Sequence, residues 1–330
     1  MFSQIKEYKV ITLIGKGGYG AVYKVKNINT NEFFAMKIYL ITESNKEDFI
    51  SIENETKILS QLNHPNIIKL YNYFKVDNSF CLIMELCEGG DLSKLIEQKR
   101  KSGKYFNEIE IKKYLYEICK GLNYLHSHKI IHRDLKSLNI FITKNNHVKI
   151  GDFGVSKQLM NNNKYAYTFV GTPYYLSPEI CSEKPYDEKS DMWSLGVVLY
   201  EMINLNKPFE SNSQLGLVMK IIKDNPKEVA NDIRQMFSGK LIGIIYSLLE
   251  KNPKRRWGIC QLMNCGLFED EQGKKKGNDK DLGSVKKKEG IVVNKKTGNS
   301  ISYAKKINTG DITNKRVRTN PKNKQENKLV

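Results

Sequence analysis

His132-Arg133-Asp134-Leu135-Lys136-Ser137-Leu138-Asn139 is the stretch that decides how this chain is read. Within six residues on a loop it sets a carboxylate, a cation and a carboxamide. Eighteen residues after Asp134 comes Asp152-Phe153-Gly154. Two acidic groups and an amide on adjacent loops suit Mg2+ held on the phosphates of a nucleotide, since that ion takes oxygen ligands and shares them with phosphate. Any one of these residues alone fits a surface turn. All of them in this order do not.

Upstream, Gly15-Lys16-Gly17-Gly18-Tyr19-Gly20-Ala21-Val22 has the spacing G-x-G-x-x-G-x-V. A dinucleotide fold would need a helix to start at this loop inside a parallel β-α-β unit. Instead Ala21-Val22-Tyr23-Lys24-Val25 continues as a strand, so the glycines belong to a hairpin. Backbone N–H groups free of Cβ obstruction can lie close over phosphates. A plain glycine turn is the competing reading of this segment taken alone.

The flanking pattern divides in two. Three β-rich runs separated by glycine and Asn-Thr-Asn turns fill residues 8–40. Phe49, Ile52, Thr56, Leu59 and Leu62 have helical spacing, ended by Asn63-His64-Pro65, and strand-like runs follow at Ile67–Phe74 and Phe80–Leu86. After Gly89-Gly90 the chain turns helical. Ile111, Leu115, Ile118, Leu122 and Leu125 form one long apolar face, and further helices are expected around Trp193–Tyr200 and Leu241–Leu249. Short strands are expected at Ile130-Ile131, Asn139–Thr143 and Val148–Ile150. The fold class is therefore α+β. It comprises a small five-stranded antiparallel lobe with one main helix, about residues 8–86, and a larger, mainly α lobe, about residues 87–268.

With these motifs in order, residues 8–268 resemble a eukaryotic protein kinase. The resemblance implies ATP as phosphate donor with Mg2+, for which Mn2+ can substitute, and proteins as acceptors. Ile14, Gly15, Lys16, Gly17, Gly18, Tyr19, Gly20, Val22 and Ala35 would enclose the nucleotide. Lys37 would bind its α- and β-phosphates and pair with Glu55, which the family spacing favours over Glu53. Met84 would be the gatekeeper, Glu85-Leu86-Cys87 the adenine-binding hinge, Asp91 a ribose contact and Phe141 the floor under the adenine. Asp134 would take the acceptor's proton, Lys136 would neutralise the moving phosphate, and Asn139 and Asp152 would ligate the metal. Glu179 would pair with Arg256, and Asp191 would brace the catalytic loop. Phe153, His132, Leu59 and Leu70 would form a packed spine.

Lys136, two residues after Asp134, and Thr172 in Gly171-Thr172-Pro173 match the serine/threonine class. Val170-Gly-Thr-Pro-Tyr-Tyr-Leu-Ser-Pro-Glu-Ile-Cys181 and Met84-Glu-Leu-Cys-Glu-Gly-Gly-Asp-Leu92 resemble the NIMA-related (Nek) kinases. That family suggests cell-cycle, microtubule or meiotic work, and Thr168 and Thr172 as regulatory phosphorylation sites. Two departures stand out. Arg256-Trp257-Gly258 replaces the usual Arg-Pro-Ser, and Leu70 stands where some Nek kinases carry an inhibitory Tyr. A serine/threonine kinase of another branch is the alternative. An ATP-binding pseudokinase would lack Lys37, Asp134 or Asp152, and all three are present.

Composition narrows the remainder. The 330 residues carry a net charge of +18, and 40% hydrophobic content excludes a wholly disordered chain. Between residues 271 and 330, 17 Lys/Arg face 6 Asp/Glu, so this tail supplies +11 and the first 270 residues +7. Its apolar residues show neither helical nor strand periodicity, so a disordered basic tail is expected. Lys274-Lys275, a ten-residue gap and Lys286-Lys287-Lys288 have the spacing of a bipartite import signal. A solubilising role, microtubule-associated or nuclear partners, and nucleic-acid binding are the readings open to it. The last is not favoured, because Tyr303 is the tail's only aromatic residue. No heptads support a coiled coil. No run of about 18 apolar residues exists to span a membrane, and Met1–Lys6 lack a signal-peptide core. Six cysteines without Cys-x-x-Cys spacing read as reduced thiols, and the expected location is cytoplasmic, nuclear or both.

Overall fold

A computed structural model describes residues 3–17, 20–41, 53, 56, 57, 59–152, 173–185 and 187–269. The basic tail lies outside the described residues. So do Gly18, Tyr19, Glu55, Phe153, Val155, Thr168 and Thr172, and of Gly17 only the backbone is described.

The small lobe is one antiparallel sheet. Its strands are β1 Gln4–Ile5, β2 Tyr8–Gly17, β3 Gly20–Asn27, β4 Phe33–Leu40, β5 Leu70–Val76 and β6 Ser79–Met84, in the order β1-β2-β3-β4-β6-β5. That is six strands rather than the expected five. The extra one is the short β1, where Ile5 pairs with Tyr8 and buries itself beside it. The strand expected at Ile67–Phe74 starts later, at Leu70, because Ile67 is drawn away into a parallel bridge with Ile150. Phe80, Cys81, Leu82 and Ile83 of β6 are all buried, as suits a strand covered on both faces. One face packs on Val25, Met36 and Ile38, while Phe80 and Leu82 join Leu59 and Leu62 in the main core.

The glycine-rich segment forms the hairpin read from the sequence, with Gly17 opposite Gly20. Register shifts at Val10/Thr12 and Leu13/Gly15 mark irregularities in β2. Gly20 is required by packing: a Cβ there would stand 2.1 Å from the Ile38 carbonyl oxygen on β4. Gly15 is under no such constraint, since its Cβ would meet Val22 at an ordinary 3.7 Å. Of the helix expected before His64, residues 53, 56, 57 and 59 are described, and they are helical.

The large lobe is helical: α1 Leu92–Ser102, α2 Glu108–Ser127, α3 Pro178–Cys181, α4 Glu188–Asn204, α5 Gln214–Lys223, α6 Asn231–Arg234, α7 Gly239–Leu248 and α8 Ile259–Met263. Asn107 and Glu110 close a capping box on α2, and its predicted apolar face is fully buried. Every residue of α4 from Ser190 to Asn204 is buried, so the other helices are built around it. Gly196 lets α7 approach closely, since a Cβ there would lie 2.8 Å from the Leu248 Cβ. The chain enters α8 with the Gly258 amide capped by Gln261 Oε1 at 2.8 Å, so the Trp-Gly departure leaves a regular helix start. Strands β7 Ile140–Ile142 and β8 Val148–Ile150 form a small hairpin. Glu117 of α2 holds it by accepting from the Val148 amide at 2.6 Å and meeting His147 Nδ1 at 2.8 Å. Ile130-Ile131 forms no strand; it is the irregular lead into the His132–Asn139 segment. All six cysteines are free thiols.

Candidate active site

The loop that carries the deciding motif is positioned from below by Asp191 of α4. This carboxylate is 1% exposed, and it accepts from the backbone amides of His132 at 2.9 Å and Arg133 at 3.0 Å. It also meets His126 Nε2 at 2.9 Å. Such charge-assisted bonds offset the strain at Arg133, held at φ 67°. His132 is fully buried, and burial pushes its pKa down against the pull of Asp191 and Asp134. A neutral ring fits its contacts: Nδ1 accepts from the Asp134 amide at 3.3 Å and Nε2 donates to the Gly151 carbonyl at 3.1 Å.

Three side chains then converge. Lys136 Nζ lies 2.8 Å from Asp134 Oδ2 and Asn139 Nδ2 donates to the same oxygen at 3.0 Å. Asn139 Nδ2 also donates to the Asp134 carbonyl at 2.8 Å. With Nδ2 committed in this way, Oδ1 is the side-chain atom of Asn139 left to meet a metal ion. The Gly151 amide donates to the main-chain carbonyl of Asn139 at 2.9 Å, which ties the residue before Asp152 to this loop. A carboxylate and an amide oxygen, one from each loop, fit a Mg2+ ion that takes its remaining ligands from phosphate and water. Among the described residues no group of three His, Cys, Asp or Glu could hold a metal ion.

Across the cleft, Lys37 of β4 donates to Asp152 Oδ1 and lies 5.2 Å from the Tyr39 ring centroid. Burial alone would lower the Lys37 pKa, but Tyr39 and Asp152 more than reverse this and the net shift is upward. The upward shift favours the cationic form of Lys37, the form a phosphate contact would require. Glu53, the rival to Glu55, pairs with Lys75 at 2.6 Å. Behind Met84 a cavity of about 40 Å³ is bounded by Leu59, Ile68, Leu70, Leu82 and Asp152, so two of the proposed spine residues line it.

Toward the hinge, Ala35 lies opposite Met84 in the sheet and is buried. The Glu85 side chain turns away to Lys149 Nζ at 3.0 Å, and the Glu85 amide donates to the Lys69 carbonyl at 2.9 Å. Cys87 is half-buried, and burial, with the charge of Glu85, pushes its thiol up to about 12. Phe141 of β7 packs over Gly151, where a Cβ would come within 3.0 Å of its ring. Ile14 and Lys16 on the hairpin are exposed. Asp91, expected at the ribose, is 5% exposed and caps α1, accepting from the Lys94 amide at 2.9 Å. Its carboxylate thus has a structural duty that sequence reading did not assign.

Sequence reading missed two further groups. His126 joins Asp191 beneath the loop; its only signal was three histidines within residues 126–132. Tyr175, Glu201, Lys207 and Ser137 form a bonded cluster that brings together residues far apart in the chain.

A two-lobed cleft with a cation from the sheet, a loop carboxylate flanked by lysine and asparagine, and a second carboxylate at the lobe junction defines a phosphotransferase of the protein kinase class. Residues 8–268 match the family model described as protein kinase domain, and the chain belongs to that family. It is 38% identical over 249 residues to the serine/threonine-protein kinase Nek3 of Mus musculus, across 76% of this chain and 47% of that protein. It is 38% identical over 264 residues to Nek5 of Homo sapiens, across 80% and 36% respectively. To a probable serine/threonine-protein kinase nek1 of Dictyostelium discoideum it is 36% identical over 281 residues, across 79% and 56%. The chain spans about half the length, or less, of most of these curated relatives.

Proposed function

We propose that the chain is a Nek-like protein serine/threonine kinase that transfers the γ-phosphate of ATP to hydroxyls of protein substrates. The observation that carries this reading is the Asp134 carboxylate, held between Lys136 and Asn139 on a loop fixed by Asp191. The acceptor oxygen forms a bond to the γ-phosphorus, the bond from that phosphorus to the bridging oxygen of ADP breaks, and the acceptor's proton passes to Asp134. Lys136 neutralises charge on the moving phosphoryl group, and Lys37 holds the α- and β-phosphates. Asn139 and Asp152 would hold Mg2+, which when bound supplies charge neutralisation on the phosphates. The Glu85 amide is used by Lys69, so its carbonyl is the group left to meet a purine. Catalysis of this kind depends on placed charges rather than covalent chemistry.

The test is phosphorylation of paired peptides that differ only in Ser or Thr, with Mg-ATP. We expect transfer to both and a preference for Thr. Val155 follows Asp152-Phe153-Gly154, and a β-branched residue there leaves room for the acceptor's extra methyl. One methyl contact contributes about 1 kcal/mol, or about fivefold in kcat/KM. Equal or higher kcat/KM for Ser removes the preference; no transfer to either peptide removes the kinase reading.

Phosphorylation of Thr168 is the activation step in this reading. It adds a charge of about −1.5 to −2, which Arg133 beside the catalytic base could receive. Thr168→Ala is expected to lose most activity, with phosphate found at Thr168 in the active wild type by mass spectrometry. A fully active Thr168→Ala protein without phosphate at that position would refute it.

The basic tail is assigned to location, by drawing the kinase to the nucleus or to an acidic surface such as a microtubule. Its net charge of +11 supports this. No helix among the described residues is long and apolar enough to cross a membrane.

A further inference from the structure

Lys37 has a second polar neighbour besides Asp152, one that the transfer step does not use. Tyr39 follows it two residues later on β4. Side chains two apart on a strand leave the same face, so Tyr39 stands beside Lys37. The Tyr39 hydroxyl accepts a hydrogen bond from the Lys37 ammonium, whose nitrogen lies 5.2 Å from the ring centroid. Tyr39 is 2% exposed and the Lys37 side chain 14% exposed, so solvent screens the contact only weakly.

Tyr39 is itself held fast. In the sheet it lies between Gly20 of β3 and Phe80 of β6. Its ring belongs to the main core with Leu59, Phe80 and Leu82, and with Thr56 and Asp152 it bounds the cavity behind Met84. A packed ring has little freedom left to lose. Lysine, by contrast, carries a compact charge on a flexible four-carbon stem, and its partners decide where that charge points. Asp152 is a poor permanent anchor for it. The Asp152 side chain is 38% exposed, it comes from a loop of the other lobe, and in the kinase reading it turns to Mg2+. Tyr39 shares a strand with Lys37, so the two stay together when the lobes move.

We propose that Tyr39 is a positioning residue for phosphate binding, its hydroxyl holding the Lys37 ammonium toward the α- and β-phosphates once the metal engages Asp152. The inference rests on the kinase reading. The hydroxyl occupies one N–H of the ammonium and leaves the others for phosphate oxygens. A cation placed in advance strengthens binding by cutting the cost of ordering it. The gain comes through the phosphates, so a nucleoside without phosphate should not report it.

The experiment measures the Kd of Mg-ADP and of adenosine by calorimetry for wild type, Tyr39→Phe, Lys37→Met and Lys37→Met/Tyr39→Phe. Phe keeps the ring and its packing and removes only the hydroxyl. Tyr39→Phe is expected to weaken Mg-ADP about tenfold, the scale of one hydrogen bond to a charged group, and to leave adenosine within about twofold of wild type. With Met at position 37 the hydroxyl has no cation to hold, so adding Tyr39→Phe should change Mg-ADP affinity by less than about twofold. Equal Mg-ADP affinity in wild type and Tyr39→Phe overturns the proposal. So does a matching loss for adenosine, or the same tenfold loss on top of Lys37→Met, since either marks a general effect on the pocket. If Tyr39→Phe does not fold, Tyr39→Met, flexible enough to fill the same space, takes its place with the same expected results. A wild type that binds neither ligand defeats the kinase reading and the proposal with it, whereas binding that Tyr39→Phe leaves unchanged defeats the proposal alone.

Discussion

Asp134→Asn should lower kcat by about a hundred- to a thousandfold, the scale of losing one placed electrostatic group in an active site. Asn keeps the size of Asp but cannot take the acceptor's proton. Its amide also presents a donor where Lys136 and Asn139 already donate to Oδ2 at 2.8 and 3.0 Å. Asp134 is about one-fifth exposed, so the fold should persist and the Tm should stay within a few degrees. Lys37→Met should reach a comparable loss by another route, removing the phosphate cation and leaving Asp152 without its partner across the cleft. Steady-state kinetics with Mg-ATP, beside a thermal melt, check both. Turnover near the wild-type rate in either variant would take the catalytic assignment away from these residues.

Arg256→Met should cause the largest loss of stability, about 3–5 kcal/mol, the usual cost of stranding one member of a buried ion pair. Arg256 is 0% exposed; its NH1 and NH2 donate to the two oxygens of Glu179 at 2.6 and 2.8 Å. It further donates to the carbonyls of Lys189 at 2.7 Å and Glu250 at 2.9 Å, and stacks 5.1 Å from the Trp193 ring centroid. For a domain of this size the Tm should fall by roughly 10 °C. Adding Glu179→Leu should restore much of it, since no carboxylate is then left unpaired. A double variant no more stable than Arg256→Met would show that the carbonyl contacts, and not the ion pair, hold the site. Burial alone would raise the Glu179 pKa, but Arg256 lowers it further than burial raises it. With the folded-state value depressed, the pair's contribution is complete above the ordinary Glu range near pH 4.3 and is lost as pH falls through the lowered value.

What was legible in the sequence was whatever had a period or a fixed spacing. The apolar face from Ile111 to Leu125 repeats at helical intervals, and every member is buried as read. The hairpin at Gly15–Gly20 was legible because the strand resumes at once after the last glycine, although the packing need for Gly20, a carbonyl 38 positions into the chain, was not. The strand at Ile67 was misread because its β character was real but its partner is Ile150, from the other lobe. The sixth strand was missed because two residues carry no periodicity. Among the site residues, Asp134, Lys136 and Asn139 converge because they share one short loop. Asp91 was read from its place in the motif and not from its own neighbours; it sits just before Leu92, where a short acceptor side chain caps a helix. Glu201 and Lys207 meet through the turn that ends α4, but their contacts with Tyr175 and Ser137 had no local signal, since these depend on how α4 lies under the loop.

The strap at residues 66–68 has a mechanical consequence. The Asn66 carbonyl accepts from the Ile150 amide at 2.9 Å and the Ile68 amide donates to the Ile150 carbonyl at 2.8 Å. The segment that precedes β5 in the chain is thus bolted to the large lobe, and Gly121 of α2 leaves no room beneath it, as a Cβ there would lie 2.8 Å from the Asn66 carbonyl. The sheet is therefore joined to the helical body at two adjacent points, Lys69 and Glu85, themselves tied by the Glu85 amide to the Lys69 carbonyl at 2.9 Å. Two antiparallel segments so linked form the joint about which the sheet is expected to swing. The bonds at Ile150 hold the strap to the large lobe, so a swing of the sheet toward or away from Asp134 is expected to begin beyond it, at Lys69 and Glu85. Opening and closing of the cleft is expected to run about this joint, a direction along which Lys37 would move toward or away from Asp152.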